Sequence, residues 1–292
     1  MCDSTFTFGQ RGSHFFQCPS RREIARLPRK LARLLSSSQL KKIHHVTLGF
    51  EDAFLLTWRD TDGTDRIESS GLPAELVEFL HTRNRNVSNI RCTLGPYNSS
   101  FFVHDKTSYL WKNLPGPLLV ALQNNIQDGS WTDRPRLVAL GAGDNFLLIT
   151  EKNATVWDLR HYKSAVTFLQ KNAITDIQNF VLHSYRYQSF LAQTRSGKLV
   201  SENIPPHQVV GVQAMMGPIL QDTMNAQRRI LARAESEKRA TTLPRKPSTL
   251  QQRAQIRREW SHHSQEFTAQ AKGVKLSFSL NVSLGGLARM LG

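Results

Sequence analysis

The segment from Val46 to Leu80 contains one complete copy of the repeated pattern from which the fold is predicted. In chain order it carries Val46-Thr47-Leu48-Gly49, Phe54-Leu55-Leu56, Asp62-Gly63, Arg66-Ile67-Glu68 and Leu72-Pro73, followed by apolar residues at helical spacing. The three runs favour β-strands, and Asp-Gly is typical of a tight hairpin turn. Proline fits the first turn of a helix, where its missing N–H would have no intrahelical partner. One unit is therefore predicted to hold three short strands and a helix.

The same order of elements recurs five times between residues 5 and 213. The opening run appears as Phe6-Thr7-Phe8-Gly9, Val46-Thr47-Leu48-Gly49, Cys92-Thr93-Leu94-Gly95, Val138-Ala139-Leu140-Gly141 and, degraded, Val181-Leu182-His183-Ser184. Aromatic-rich runs start five or six residues later, at His14, Phe54, Phe101, Phe146 and Phe190. Each unit closes with Leu-Pro or a relative of it, at Leu27-Pro28, Leu72-Pro73, Leu114-Pro115, Leu159-Arg160 and Ile204-Pro205. This regular spacing predicts tandem repeats that cover one another's sheets.

Units of about 40 to 50 residues with several strands resemble the blades of a β-propeller. The resemblance covers residues 5–213 and implies a closed ring or an open arc of β-rich repeats. It departs from the usual blade, because each unit here has three strands and a helix in place of four strands. Trp157-Asp158 occurs only once, so no named family is assigned. The predicted fold class is mainly β with short helices, followed by a basic helical tail.

A different kind of sequence follows the repeats. Residues 215–272 contain eleven Lys or Arg against five acidic residues. Helices are predicted over about 218–240 and 250–267, separated by a break that contains Pro244 and Pro247. We therefore divide the chain into a five-repeat body at 1–213, a basic segment at 214–273 and a C-terminal strand at 274–292.

The C-terminal strand has two interpretations. Residues 274–284 alternate apolar and polar side chains before Gly285-Gly286, which is typical of a half-buried strand. It could pair with an open edge of the repeats and close the body, since exposed strand edges are normally protected. The alternative is a free strand that pairs with a partner.

Composition indicates a folded, basic chain. Its 292 residues are 39% hydrophobic and carry a formal net charge of +15, and no apolar run reaches the roughly 18 residues that span a bilayer. The three cysteines form no CxxC pair, which favours a reducing compartment. A cytoplasmic or nuclear location is expected; the alternative is a mitochondrial leader, because Arg21–Leu35 is Arg-rich and amphipathic.

No motif in the sequence specifies a catalytic, cofactor or metal site. The acidic segment Asp60-Thr61-Asp62-Gly63-Thr64-Asp65 superficially resembles a calcium loop, but it coincides with the predicted hairpin turn. The pairs His44-His45 and His262-His263 place their rings in divergent directions. We therefore predict a protein without enzymatic activity, cofactor or bound metal.

Two hypotheses about function remain. The first is a protein–protein interaction scaffold, with Tyr109, Trp111 and Trp157 as candidate aromatic contacts; packing between neighbouring sheets is the alternative role for these rings. The second is a regulatory protein that binds nucleic-acid phosphates through its tail and the Arg21–Arg33 stretch. The candidate tail residues are Arg228, Arg229, Arg245, Lys246, Arg257, Arg258 and Trp260.

Overall fold

The computed structural model describes residues 2–83 and 85–242. The first unit contains β1 (Thr5–Phe8), β2 (His14–Gln17), β3 (Arg22–Ala25) and α1 (Arg29–Leu35). The second contains β4 (Leu40–Leu48), β5 (Phe54–Asp60), β6 (Asp65–Ser70) and α2 (Ala74–His81). The third contains β7 (Arg91–Leu94), β8 (Phe101–His104), β9 (Tyr109–Lys112) and α3 (Gly116–Asn124). A short hairpin follows, formed by β10 (Ile126–Gln127) and β11 (Ser130–Trp131). The fourth unit contains β12 (Pro135–Leu140), β13 (Phe146–Thr150), β14 (Thr155–Asp158) and α4 (Lys163–Lys171). The fifth contains β15 (Ile177–Leu182), β16 (Phe190–Thr194), β17 (Leu199–Glu202) and α5 (Pro206–Thr242).

Each unit forms one antiparallel sheet whose three strands are paired in chain order. The prediction of three strands and a helix per unit is thus confirmed, and the predicted aromatic-rich runs form the middle strands. In the second sheet Leu48 pairs with Phe54, which in turn pairs with Ser70. Proline lies at the N-cap, one residue before the helix, at Pro28, Pro73 and Pro115.

The fifth opening run is displaced by one residue from its predicted alignment. Leu182 pairs with Phe190 just as Leu48 pairs with Phe54. The next residue, His183, donates its N–H to the carbonyl oxygen of Ser189 at 2.9 Å, which reproduces the loop-closing bond of Gly49 in the second unit. His183, and not Ser184, therefore occupies the glycine position, because the fifth loop is longer than the others.

Five hydrophobic clusters lie between successive sheets, and each contains one helix. Alternate residues of a middle strand point to opposite neighbours: Leu55 packs with Leu76 of α2 and the third sheet, whereas Leu56 packs with Leu31 of α1 and Phe15 of the first sheet. Since both faces of every sheet are covered, each middle strand contains a run of two to four consecutive apolar residues. This explains why their sequences do not alternate.

The first and fifth sheets are also in contact. Phe16 of the first sheet, Leu191 of the fifth and Ile219 of α5 belong to one buried cluster. Hydrogen bonds link the first strands of neighbouring sheets, among them Thr47 Oγ1–H to the carbonyl oxygen of Cys92 at 2.7 Å. Contacts between sheets therefore run in cyclic order within the compact unit of residues 1–233.

The last helix differs from the prediction. It begins at Pro206 instead of about 218, and it continues through Pro218. Ile204-Pro205 starts it as in the other units, and the buried residues Met215 and Ile219 pack between the first and fifth sheets. The expected boundary at 213 thus falls inside a helix. The predicted helix at 250–267 and the predicted strand at 274–284 lie outside the described residues.

The basic stretch near the N-terminus is not one helix. Residues Arg22–Ala25 form β3, and the helix begins only at Arg29. Pairing of β3 with β2 overrides the helical amphipathicity of the sequence. No helix within 2–83 and 85–242 is both long and apolar enough to cross a membrane.

Candidate interaction surface

The loops between the first and second strands of the sheets meet at one end of the body. We call these segments the inner loops; they comprise residues 9–13, 49–53, 95–100, 141–145 and 183–189. The first strands lie side by side in the order β1, β4, β7, β12, β15. At the closing contact, Asn179 Nδ2 donates to the carbonyl oxygen of Ser4 at 3.1 Å, and the rings of His183 and Phe8 stack at 5.1 Å.

Aromatic side chains from three inner loops converge. The ring of Phe50 in the second unit lies 5.0 Å from that of Tyr97 in the third. Tyr185 of the fifth unit lies 6.4 Å from Phe50 and 6.3 Å from Tyr97. The second and third sheets are not neighbours of the fifth in the cyclic order. Tyr185 therefore contacts two units that do not flank its own.

Ser184 anchors the loop that carries Tyr185. Its Oγ lies 3.2 Å from the carbonyl oxygen of Leu94 and 3.1 Å from that of Leu140, so one hydroxyl proton serves the third and fourth units. The hydroxyl is buried, and hydrogen bonds are stronger in the low dielectric of the protein interior. The fifth loop is thus fixed to two sheets besides its own.

The second and third inner loops are held together by Asn98. Its Oδ1 accepts the N–H of Phe50 at 2.9 Å, and its Nδ2 donates to the carbonyl oxygen of Gly71 at 3.2 Å. A Cβ atom on Gly49 would lie 2.3 Å from that Oδ1, so the repeated glycine leaves room for this bond. Tyr97 and Asn98 both have left-handed backbone conformations, with φ of 58° and 55°.

Tyr162 joins the fourth and fifth inner loops. Its Oη accepts the N–H of Ala142 at 2.9 Å and donates to the carbonyl oxygen of His183 at 2.9 Å. Burial raises the pKa of Tyr162 to about 12, so the hydroxyl stays protonated. Tyr162 is the N-cap of α4, the position that proline occupies before α1, α2 and α3.

The aromatic side chains of the inner loops differ in their exposure to solvent. We call Phe50, Tyr97, Tyr185 and Tyr187 the aromatic inner-loop surface. Tyr97 is 67% exposed and Tyr187 56% exposed. Tyr185 is partly buried, its Oη has no hydrogen-bond partner among the described residues, and burial raises its pKa. Exposed charged residues of both signs lie on the same inner loops, at Arg11, Glu51, Asp52, Asp144 and Arg186.

The predicted aromatic contacts lie elsewhere, on the outer strands. Trp111 and Trp157 are in equivalent positions, as predicted, but Trp111 packs into the cluster between the third and fourth sheets. Tyr109 stacks on Trp111 with a ring separation of 5.2 Å and lies 4.7 Å from Trp131. Trp157 is 39% exposed and lines a shallow groove with Arg160 and Lys163. None of these rings joins the aromatic inner-loop surface.

The predicted basic contacts are only partly described. Arg228 and Arg229 are exposed on α5 and make no ion pair within the described part of the chain. Arg245, Lys246, Arg257, Arg258 and Trp260 lie outside the described residues. In the first unit, Arg21 pairs with Glu23 and Lys30 pairs with Glu68.

The acidic segment at 60–65 is a hairpin turn, as predicted. The N–H of Gly63 donates to the carbonyl oxygen of Asp60 at 3.0 Å, and Arg59 pairs with Asp65 at 2.8 Å. His44 pairs with Asp65 while His45 accepts the N–H of Cys92, so the two rings diverge. Among residues 2–83 and 85–242, no group of three or more His, Cys, Asp or Glu could hold a metal ion.

Sequence reasoning missed the aromatic inner-loop surface. A signal was present, because an aromatic residue follows the glycine position by one or two residues in three of the five units: Phe50, Tyr97 and Tyr185. Tyr185 was not recognised because the fifth unit was aligned one residue away from its position in the structure. Comparisons with protein-family models, with curated proteins and with solved structures gave no match.

Proposed function

We propose that this protein is a non-catalytic interaction scaffold that binds a protein partner through its aromatic inner-loop surface. In this proposal the five sheets form a propeller-like ring, and the basic tail extends the contact. The observation that carries the proposal is the convergence of Phe50, Tyr97 and Tyr185 from three separate units at one end of the body.

The chemistry of the exposed rings supports protein binding. Tyrosine is enriched in interfaces because it buries a large apolar ring while its hydroxyl keeps a polar partner. Tyr97 and Tyr187 leave more than half of their area in contact with solvent. Charges of both signs on the inner loops match the polar rim that surrounds the apolar centre of most interfaces.

The hydrogen bonds beneath the rings support a preformed site. Asn98, Tyr162 and Ser184 each tie one inner loop to another unit. Association loses free energy when loops and side chains must be ordered, and prior ordering reduces that loss. We therefore expect the partner to bind without a large rearrangement of these loops.

The cyclic contacts support a ring over an open arc. Phe16, Leu191 and Ile219 share one buried cluster, so the first and last units cover each other. The helix α5 fills this closing interface in the way that α1 to α4 fill the other four. Ring closure in this proposal needs no contribution from residues 274–284.

The test is affinity capture from cell extract with three forms of the full-length chain. They are the wild type, the double variant Tyr97→Ser/Tyr187→Ser, and Trp157→Ser, which alters an exposed aromatic ring on the outer strand β14. We expect proteins that bind the wild type and Trp157→Ser but are depleted with the double variant. The purified partner should bind the double variant at least about tenfold more weakly, because interface aromatics commonly contribute more than 1.4 kcal/mol.

Two results would reject the proposal. One is full retention of every captured protein by the double variant, which would indicate that the partner binds a different surface. The other is an equal loss with Trp157→Ser, which would indicate nonspecific adhesion to exposed rings. All three forms should unfold at similar temperatures, since the replaced side chains are exposed.

One observation favours the second candidate, binding of nucleic-acid phosphates. Arg228 and Arg229 are adjacent, exposed and without an ion pair in the described part of the chain. Phosphate contacts make affinity fall steeply with salt. Labelled RNA should therefore bind the wild type with a steeper salt dependence than Arg228→Gln/Arg229→Gln; equal slopes would exclude these two residues.

A further inference from the structure

Two arginines meet at the end of the body opposite the inner loops. Arg136 is the second residue of β12, and Arg195 directly follows β16. Arg136 Nη1 donates to the carbonyl oxygen of Ile177 at 2.7 Å, and Nη2 donates to that of Ile174 at 3.3 Å. Thr194 is the strand partner of Ile177, so strand pairing brings Arg195 to the same place.

No carboxylate of the described residues lies within ion-pairing distance of these two arginines. Within residues 2–83 and 85–235, neither Arg136 nor Arg195 forms an ion pair. Burial, and then the charge of Arg195, lower the pKa of Arg136. The fold thus holds two like charges together, which is unfavourable unless an anion joins them.

The guanidinium donors are also underused. The Nε atoms of both arginines are buried and have no acceptor among the described residues. Each guanidinium offers five N–H donors in a planar fork. Only the two bonds from Arg136 to backbone carbonyls occupy any of them in the described part of the chain. A buried donor without an acceptor is unfavourable, so an oxyanion that accepts hydrogen bonds from these guanidinium groups would stabilise the fold.

We propose that Arg136 and Arg195 form a binding site for a dianionic phosphate group, as carried by a phosphate monoester. Two positive charges match the two negative charges of the monoester, and guanidinium forks bind phosphate oxygens bidentately. A phosphodiester has one charge and would leave the pair half neutralised. The site lies at the end opposite the aromatic inner-loop surface and does not depend on the proposed partner.

The test uses the full-length chain and calorimetric titration with inorganic phosphate at constant ionic strength, with chloride as the balancing ion. Arg195→Gln removes one charge and leaves the bonds of Arg136 to Ile177 and Ile174 in place. Arg29→Gln is the matched control, because Arg29 is exposed on α1 and has no ion pair in the described part of the chain. We expect Arg29→Gln to bind phosphate as the wild type does and Arg195→Gln to bind at least about tenfold more weakly.

Two further measurements separate this site from general attraction to a basic chain. Dimethyl phosphate, a monoanion, should bind the wild type at least about tenfold more weakly than inorganic phosphate. Without phosphate, Arg195→Gln should unfold at the same temperature as the wild type or higher, because the substitution removes like-charge repulsion.

Three results would overturn the proposal. The first is equal phosphate affinity of the wild type and Arg195→Gln. The second is equal affinity of the wild type for dimethyl phosphate and inorganic phosphate, which would remove the argument from two charges. The third is a lower unfolding temperature of Arg195→Gln without phosphate, which would assign Arg195 a structural role.

Discussion

Replacing Tyr162 by Phe removes one hydroxyl group that links the fourth and fifth inner loops. Tyr162 is fully buried, and its Oη bonds both the N–H of Ala142 and the carbonyl oxygen of His183 at 2.9 Å. Phenylalanine keeps the ring and its packing. The variant Tyr162→Phe therefore isolates the hydrogen bonds from the hydrophobic contribution.

The expected loss follows from the buried N–H of Ala142, which is left without an acceptor. The carbonyl oxygen of His183 keeps the N–H of Arg186 at 3.2 Å, and Ala142 is only 6% exposed. A buried donor without a partner costs about 1 to 3 kcal/mol. We expect the free energy of unfolding to fall by about 1 to 3 kcal/mol, which for a unit of this size lowers the unfolding temperature by about 2 to 12 °C.

Urea unfolding followed by tryptophan fluorescence measures this loss, and hydrogen exchange of the Ala142 amide locates it. Tyr187→Phe is the control, because Tyr187 is 56% exposed and its hydroxyl makes no hydrogen bond within the described residues; it should change stability by less than about 0.5 kcal/mol. A Tyr162→Phe variant as stable as that control would contradict the predicted role of the hydroxyl. So would unchanged protection of the Ala142 amide.

Acid should weaken the fold through buried histidines. Burial first, and then nearby arginines, lower the pKa of His104 and His183 to about 4 from the ordinary value of 6.5. The folded state therefore binds fewer protons than the unfolded state between these values, and each histidine reduces the free energy of unfolding by up to about 1.4 kcal/mol per pH unit as pH falls through that window. Urea midpoints measured from pH 7.5 to 4 should decline accordingly, and a flat profile would contradict the assignment. The neighbours Ile219 and Leu220 on α5 differ in burial, at 0% and 48% exposed. Ile219→Ala should cost about 2 to 4 kcal/mol in the same assay and Leu220→Ala less than about 1 kcal/mol, whereas equal losses would show that α5 is not packed as described.

The local elements of the repeats could be predicted from the sequence because their causes are local. Asp62-Gly63 specifies a hairpin turn, and proline at positions 28, 73 and 115 starts a helix. The apolar runs marked the middle strands, which are buried on both faces. Element order, element type and repeat length all follow from such short-range chemistry.

Predictions from local sequence were wrong where contacts between distant residues determine the secondary structure. Pairing with β2 makes Arg22–Ala25 a strand in spite of its helical amphipathicity. Packing of Met215 and Ile219 against the first and fifth sheets extends α5 through Pro218, at a position where proline alone would favour an end. A longer loop moved the glycine position of the fifth unit to His183.

The order of five units, each with three strands and a helix, follows from the sequence alone. The contacts of Tyr185 with Phe50 and Tyr97 come from tertiary packing, as does the closeness of Arg136 and Arg195, neither of which has an ion pair within residues 2–83 and 85–235. Residues in each group come from different units, and no local pattern in the sequence specifies which of them come into contact. They come together because every sheet buries both faces against its neighbours, which fixes the cyclic order of the units and hence the loops that share each end.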